Sequence, residues 1–327
     1  MTREEIAMKN SAVAILCMTL LGNALAASEP SITEYRGICD ASAAIALDEN
    51  LFAVADDEHN VLKIYRRGQA KEVSSVSVID SLGNDESDLE GAAKIGNRIF
   101  WIASHGRNAK GKLREQRHRF FATDIVGQGD SVTLKVVGTP YTRLLDDLLA
   151  DTDLKPFKLD VASSLAAEAK DGLNIEGLAA TPDGQLLIGF RNPIIKGKAL
   201  IVPLENPQEM IEGKKARLGA PIALDLQKRG IRSIERVKGS YLIVAGPPAK
   251  KGTFALFKWS GKPSDAPEPV RSVGFDGLSP EALFEIPDKE TIQVLSDDGE
   301  RKFGDRECKE ISDADFRLFR SLSIQIP

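Results

Sequence analysis

Aromatic residues make up only 6% of the 327 residues, and the basic ones are dispersed rather than striped under a net charge of −5. Neither a base-stacking platform nor a phosphate-tracking groove is implied, which excludes nucleic acid as a partner. The sequence contains no HExxH, no GxSxG elbow, no Walker loop, no dinucleotide fingerprint and no paired CxxC. The usual templates for metalloproteases, α/β-hydrolases and nucleotide enzymes are therefore absent. No apolar run is long enough to span a bilayer.

The longest apolar run, Ala12 to Leu21, follows Lys9 and precedes the small-x-small site Ala24-Leu25-Ala26. Residues 1–26 thus read as a signal peptide and place the chain in the periplasm or outside the cell. Glu4 and Glu5 sit badly in a positively charged leader, so Met8 is the alternative initiator. Removing this segment leaves Cys39 and Cys308, a candidate disulfide in an oxidising compartment.

What the chain does have is repetition. Asp88-Leu89-Glu90-Gly91-Ala92-Ala93 returns as Asn174-Ile175-Glu176-Gly177-Leu178-Ala179, each followed by a tight turn, an apolar strand and a polar loop. Strand-rich units of this size predict propeller blades. Five four-stranded units can be laid along residues 27–327, with six as the alternative if the stretch at about 141–172 hides a degenerate blade. The fifth unit lacks a strand, and Ser31 to Gly37 is an unassigned extended segment. The expectation is therefore an all-β propeller whose N-terminal strand closes the last blade, removing both free edges. That closure also brings Cys39 toward Cys308. Leu144, Leu145, Leu148 and Leu149 at helical spacing predict a small helical insertion that covers the ring.

Aligning the five openings places Glu90, Glu176, Glu235 and Glu281 at one position, with Ser42 in the first unit. Asp40, Asp88, Asn174, Ser233 and Ser279 stand two residues earlier. Side chains alternate along a strand, so both sets should crowd one mouth of the axial channel. At about 8 Å and an effective dielectric near 20, each like-charged pair costs roughly 2 kcal/mol. Bound Ca2+, protonation, or arginine partners drawn from Arg107, Arg191, Arg232 and Arg236 would relieve this. Asp88, Glu90, Glu176, Glu235 and Glu281 are then the candidate metal ligands, and hydrogen bonding between strand ends is the structural alternative.

Loops between second and third strands should add Asp56, Asp57, His59, His105, Arg107, Asn108, Arg191, Asn192, Asp297, Asp298, Arg301 and Arg306 to the same funnel. His105 as proton carrier, with Arg107 and Arg191 clamping a small anionic ligand, would suit phosphate or carboxylic ester chemistry. The run Lys110 to Arg119, His118 included, reads as a solvated basic loop.

Gly37-Ile38-Cys39-Asp40-Ala41-Ser42-Ala43-Ala44, the two repeat openings, Ser104-His105-Gly106-Arg107-Asn108 and Gly189-Phe190-Arg191-Asn192-Pro193 together resemble the bacterial domain-of-unknown-function family 3616. The resemblance implies an exported protein and transfers no activity. The Glu-Gly-Leu-Ala element is similar, over a short stretch, to the esterase-like domain of certain phytases. Unit four departs from it with Arg236 in place of the glycine. Two functional classes follow: a monomeric hydrolase of esters, assisted by calcium, and a non-catalytic binding or scaffold propeller.

Overall fold

Each repeated opening starts the innermost strand of a four-stranded antiparallel sheet in the computed structural model, which describes residues 31–56, 59–83, 86–249 and 251–327. The expected signal peptide and Asp57 lie outside the described residues. Blade one comprises Ala43–Ala46, Leu51–Asp56, Val61–Arg66 and Glu72–Ser77, and blade two Leu89–Ile95, Arg98–Ala103, Phe120–Val126 and Thr133–Tyr141. Blade three is Asn174–Ala180, Leu186–Asn192, Ala199–Leu204 and Ile222–Leu224. Blade four is Gly230–Val237, Ser240–Gly246, Ala255–Trp259 and Glu268–Pro269. Neighbouring inner strands pack against one another around the axis, from blade one through blade five and back to blade one.

Blade five consists of Pro280–Glu285, Thr291–Ser296 and Leu318–Gln325, completed by the N-terminal strand Ser31–Arg36. Its register runs from Ser31↔Ser323 to Arg36↔Leu318. The chain is thus a five-bladed β-propeller closed by its N-terminal strand, as its missing fifth-unit strand predicted. Apolar packing reinforces the ladder. Tyr35 stacks on Phe319 at 5.3 Å and meets Phe52 of blade one edge-on at 5.1 Å, so the closing strand is glued to its own blade and to blade one. Cys39 and Cys308 form a disulfide with a Cα–Cα separation of 5.9 Å.

The segment between blades two and three forms helices at Leu144–Ala150 and Leu159–Ala162 rather than a sixth blade. Leu144, Leu145 and Leu148 bury their side chains with residues of blades two and three, which explains their spacing. The far end of the insertion travels inward. Asn192 donates to the carbonyl of Ala169 at 2.8 Å, and Arg107 to that of Ser163, also at 2.8 Å. No helix among the described residues is long and apolar enough to cross a membrane.

Candidate functional site

Four of the five inner strands carry a β-bulge near their start: between Leu89 and Gly91, Ile175 and Gly177, Ile231 and Ser233, and Pro280 and Ala282. A bulge re-aims the extra residue. The residues so displaced are Glu90, Glu176, Arg232 and Glu281, and Ser42 holds the matching place just ahead of the blade-one strand. All five line one cavity of about 550 Å3 at the face where the inner strands begin. Gly91 and Gly177 make the close approach possible. A methyl group on Gly91 would lie 2.9 Å from Ile102 Cγ2 and 3.0 Å from Leu178 Cβ, and one on Gly177 2.8 Å from Ile231 Cγ2.

Glu235 is therefore a correction to the sequence alignment. It lies three residues beyond the bulge, outside the cavity, where burial first and Glu285 second push its carboxyl up to about 8. The fourth member of the ring is a cation. Arg232, only 5% exposed, places Nε 2.9 Å from Glu176 Oε2 and pairs through Nη2 with Glu281. Glu176 also meets Arg191 Nη1 at 2.8 Å and accepts from Asn174 Nδ2 at 2.8 Å, while Glu281 accepts from Ser42 Oγ at 3.1 Å. Asp88 is held by Arg117 at 2.8 Å, yet burial raises its carboxyl to about 6.

Glu90 has no such partner. It makes no hydrogen bond or ion pair with any described residue, and burial, then Glu176 and Asp88, raise its carboxyl well above the usual range. Guanidinium groups neutralise Glu176 and Glu281, and at Glu90 the raised pKa favours the protonated form. The third remedy does not fit the donors. Calcium takes six to eight oxygens, whereas Glu176, Glu281 and Asp88 are committed to arginines. Among the described residues, no three His, Cys, Asp or Glu side chains are placed to hold a metal ion.

Of the remaining expected funnel residues, Arg107, Arg191, Asp297, Asp298 and Arg301 line the cavity. Arg191 reaches Glu176 and the Pro247 carbonyl, so its donors serve the acid ring. Arg107 donates to the carbonyls of Ser163 and Gly111 and pairs with no carboxylate among the described residues. Asp56 and His59 pair with each other at 3.1 Å away from the cavity, and Asn108, Asn192 and Arg306 do not line it either.

His105 is also outside. Only 1% exposed, it gives its Nδ1 hydrogen to the Ala103 carbonyl at 2.7 Å and stacks on His118 at 5.6 Å. Burial, then His118, lowers its pKa to about 3, so the ring is neutral, and it does not line the cavity. The positive φ of 56° at His105 turns the chain before Arg107, which accounts for the side chain folding inward. His118 and Arg117 likewise leave the expected solvated loop, one for the stack and the other for Asp88.

Sequence reasoning named Arg232 as one of four possible arginine partners but not as the ring's fourth member, and it missed Arg117 as the partner of Asp88 and a carboxyl pair. Asp297 is hydrogen-bonded to Asp40 and raised by burial. Gly299 makes room for the pair, since a methyl there would lie 1.7 Å from Asp40 Oδ1 and 3.2 Å from Asp297 Oδ1. For Arg232 a signal existed: Ile231-Arg232-Ser233-Ile234 aligns without gaps on Leu89-Glu90-Gly91-Ala92.

No functionally curated protein matches the sequence. Among solved structures, the chain is similar to glutaminyl cyclase from Myxococcus xanthus, at 12% identity and a TM-score of 0.46 over 91% of this chain and 97% of that one. It is also similar to the PQQ-bound form of aldose sugar dehydrogenase from Streptomyces coelicolor, at 9% identity and a TM-score of 0.43 over 90% and 99% of the two chains. Residues 127–292, half of the sequence, match the family described as protein of unknown function (DUF3616), and the chain belongs to that family.

Proposed function

We propose that this chain is an exported propeller that binds a small polar ligand in its axial mouth. One observation carries the reading: within a cavity whose carboxylates are otherwise paired, Glu90 has no partner among the described residues, and the Asn174 Oδ1 beside Glu176 is buried without one among them. Buried polar groups are normally satisfied, so an unfilled acceptor pair facing a cavity of ligand size marks a place for a donor. The disulfide supports an oxidising compartment. Thermal-shift screening of a library of small charged metabolites against wild type and Glu90→Gln tests the proposal. At least one compound should stabilise the wild type and lose its effect in the variant. A library that leaves the wild type unmoved, or hits indifferent to Glu90, would count against it.

The second reading is a hydrolase of phosphate or carboxylic esters. It is favoured by the Asp40–Asp297 carboxyl pair lining the same cavity as Glu90. Carboxyl groups in differently charged surroundings suit general acid and base roles. Glu90, not His105, would then carry the proton, and Arg107 is the cation left to face an anionic group. A panel of generic esters and phosphoesters run on the same two proteins decides between the readings.

A further inference from the structure

Nine carboxyl groups line the cavity against seven cationic side chains. Asp88 and Glu86 share Arg117, and Glu176 shares Arg191 and Arg232, the latter also serving Glu281. Glu90 is left over. Asp88 and Glu176 repel its charge, and the arginines that attract it, Arg117, Arg191 and Arg232, are already engaged by Glu86, Asp88, Glu176 and Glu281. Its ionised form therefore calls for one more cation.

Asn174 supplies independent evidence. It is 3% exposed and its amide orientation is fixed, because Nδ2 must point at Glu176 Oε1, 2.8 Å away. That leaves Oδ1 as a buried acceptor with no donor among the described residues. Two carboxylate oxygens and one amide oxygen on adjacent blades are too few for calcium. Their number matches the three N–H donors of a primary ammonium group. On the rim, Arg107 presents a guanidinium with no carboxylate partner among the described residues.

We infer that the axial mouth takes a small primary amine bearing an anionic group, the chemistry of an amino acid, with its ammonium on Glu90 and Asn174 and its anionic end toward Arg107. The inference rests on the ligand-binding reading and names the ligand class for it. A bound ammonium requires Glu90 to be ionised, so below the raised Glu90 pKa each binding event expels one proton. Affinity then weakens about tenfold for each unit of falling pH in that range.

The test uses three probes of similar length: 5-aminopentanoate, pentylamine and pentanoate. Calorimetry in buffers of different ionisation enthalpy reads both affinity and proton release. The first two should bind with release of up to one proton, 5-aminopentanoate more tightly, and pentanoate should bind at least tenfold more weakly than pentylamine. Glu90→Gln should abolish proton release and weaken both amines at least tenfold, with thermal melts confirming that it is folded. Arg107→Gln should erase the advantage of 5-aminopentanoate and leave pentylamine unchanged. Pentanoate binding as well as pentylamine, amine binding without proton release at about pH 4.5, where a raised carboxyl is still largely protonated, or no binding by either amine would each overturn the assignment. A metabolite of another class that binds in a Glu90-dependent way would sink the ammonium and keep the binding reading. If nothing binds, both fall.

Discussion

Arg232 in blade four stands at the bulge that Glu176 occupies in blade three, and the two side chains meet across the blade boundary at 2.9 Å. One blade's departure from the repeat thereby supplies an internal counter-ion for the acids of its neighbours. Removing it should leave Glu176 and Glu281 as buried, poorly compensated charges, a loss of about 3–5 kcal/mol. For Arg232→Ala we expect a melting temperature lower by about 10 °C. Millimolar calcium should leave the wild type unmoved and raise the melting point of the variant, because only there do carboxylates face an unneutralised space. A calcium-induced rise in the wild type would show instead that Arg232 does not replace a metal.

A different sign is expected at Glu90. Its folded pKa lies above the ordinary value of 4.5, so its contribution to stability is fully present below pH 4.5 and is lost as pH rises through the raised value. Glu90→Gln keeps the shape and cannot ionise. It should match the wild type in stability at pH 4 and exceed it by about 1 kcal/mol at neutral pH. Chemical denaturation across this range is the measurement, and a variant less stable at neutral pH would mean that the ionised carboxylate is compensated after all.

The blades were legible because each repeats an apolar strand, a tight turn and an alternating outer strand. The closing strand was legible because one strand was missing at one end and spare at the other. Glu90, Glu176 and Glu281 could be placed for the same reason. Glu235 could not, since identity of residue type drew the alignment three positions past the bulge, and an odd offset changes the face a strand residue occupies. Arg117 and His105 were misread for a physical reason as well. Whether a loop side chain turns in or out depends on backbone such as the positive φ at His105, which no spacing encodes.

His105 carries its own acid signature. With a folded pKa of about 3 against an ordinary 6.5, its contribution is present above pH 6.5 and is lost as pH falls toward 3, because only the unfolded chain takes up the proton. Asparagine tolerates positive φ better than most residues, so His105→Asn tests the point with least backbone strain. The variant should be less stable than wild type at neutral pH, through the lost stack on His118, and the gap should narrow as pH falls below 6.5. Urea midpoints that keep a constant gap down to acid pH would show that His105 protonates freely in the folded protein.

The disulfide joins residues 269 positions apart, so in the chain-entropy account it stabilises by about 5 kcal/mol, less any strain in the folded state. Its location gives it a second consequence. Asp298 N donates to the Cys39 carbonyl at 3.0 Å, Asp297 is hydrogen-bonded to Asp40, and Asp297, Asp298, Glu300, Arg301 and Lys309 line the cavity beside the bridge. Cutting the bridge therefore frees one wall of the mouth as well as the closure of blade five. Cys39→Ala with Cys308→Ala should lower the melting temperature by about 10 °C or more. The double variant should also bind any mouth ligand more weakly under conditions where it is still folded, because the wall must be ordered again on binding. Reductant added to the wild type should reproduce both effects once thiol labelling shows the bridge open. An unchanged melting point with both thiols labelled would mean that the apolar contacts of Tyr35 and the strand pairing close the ring unaided.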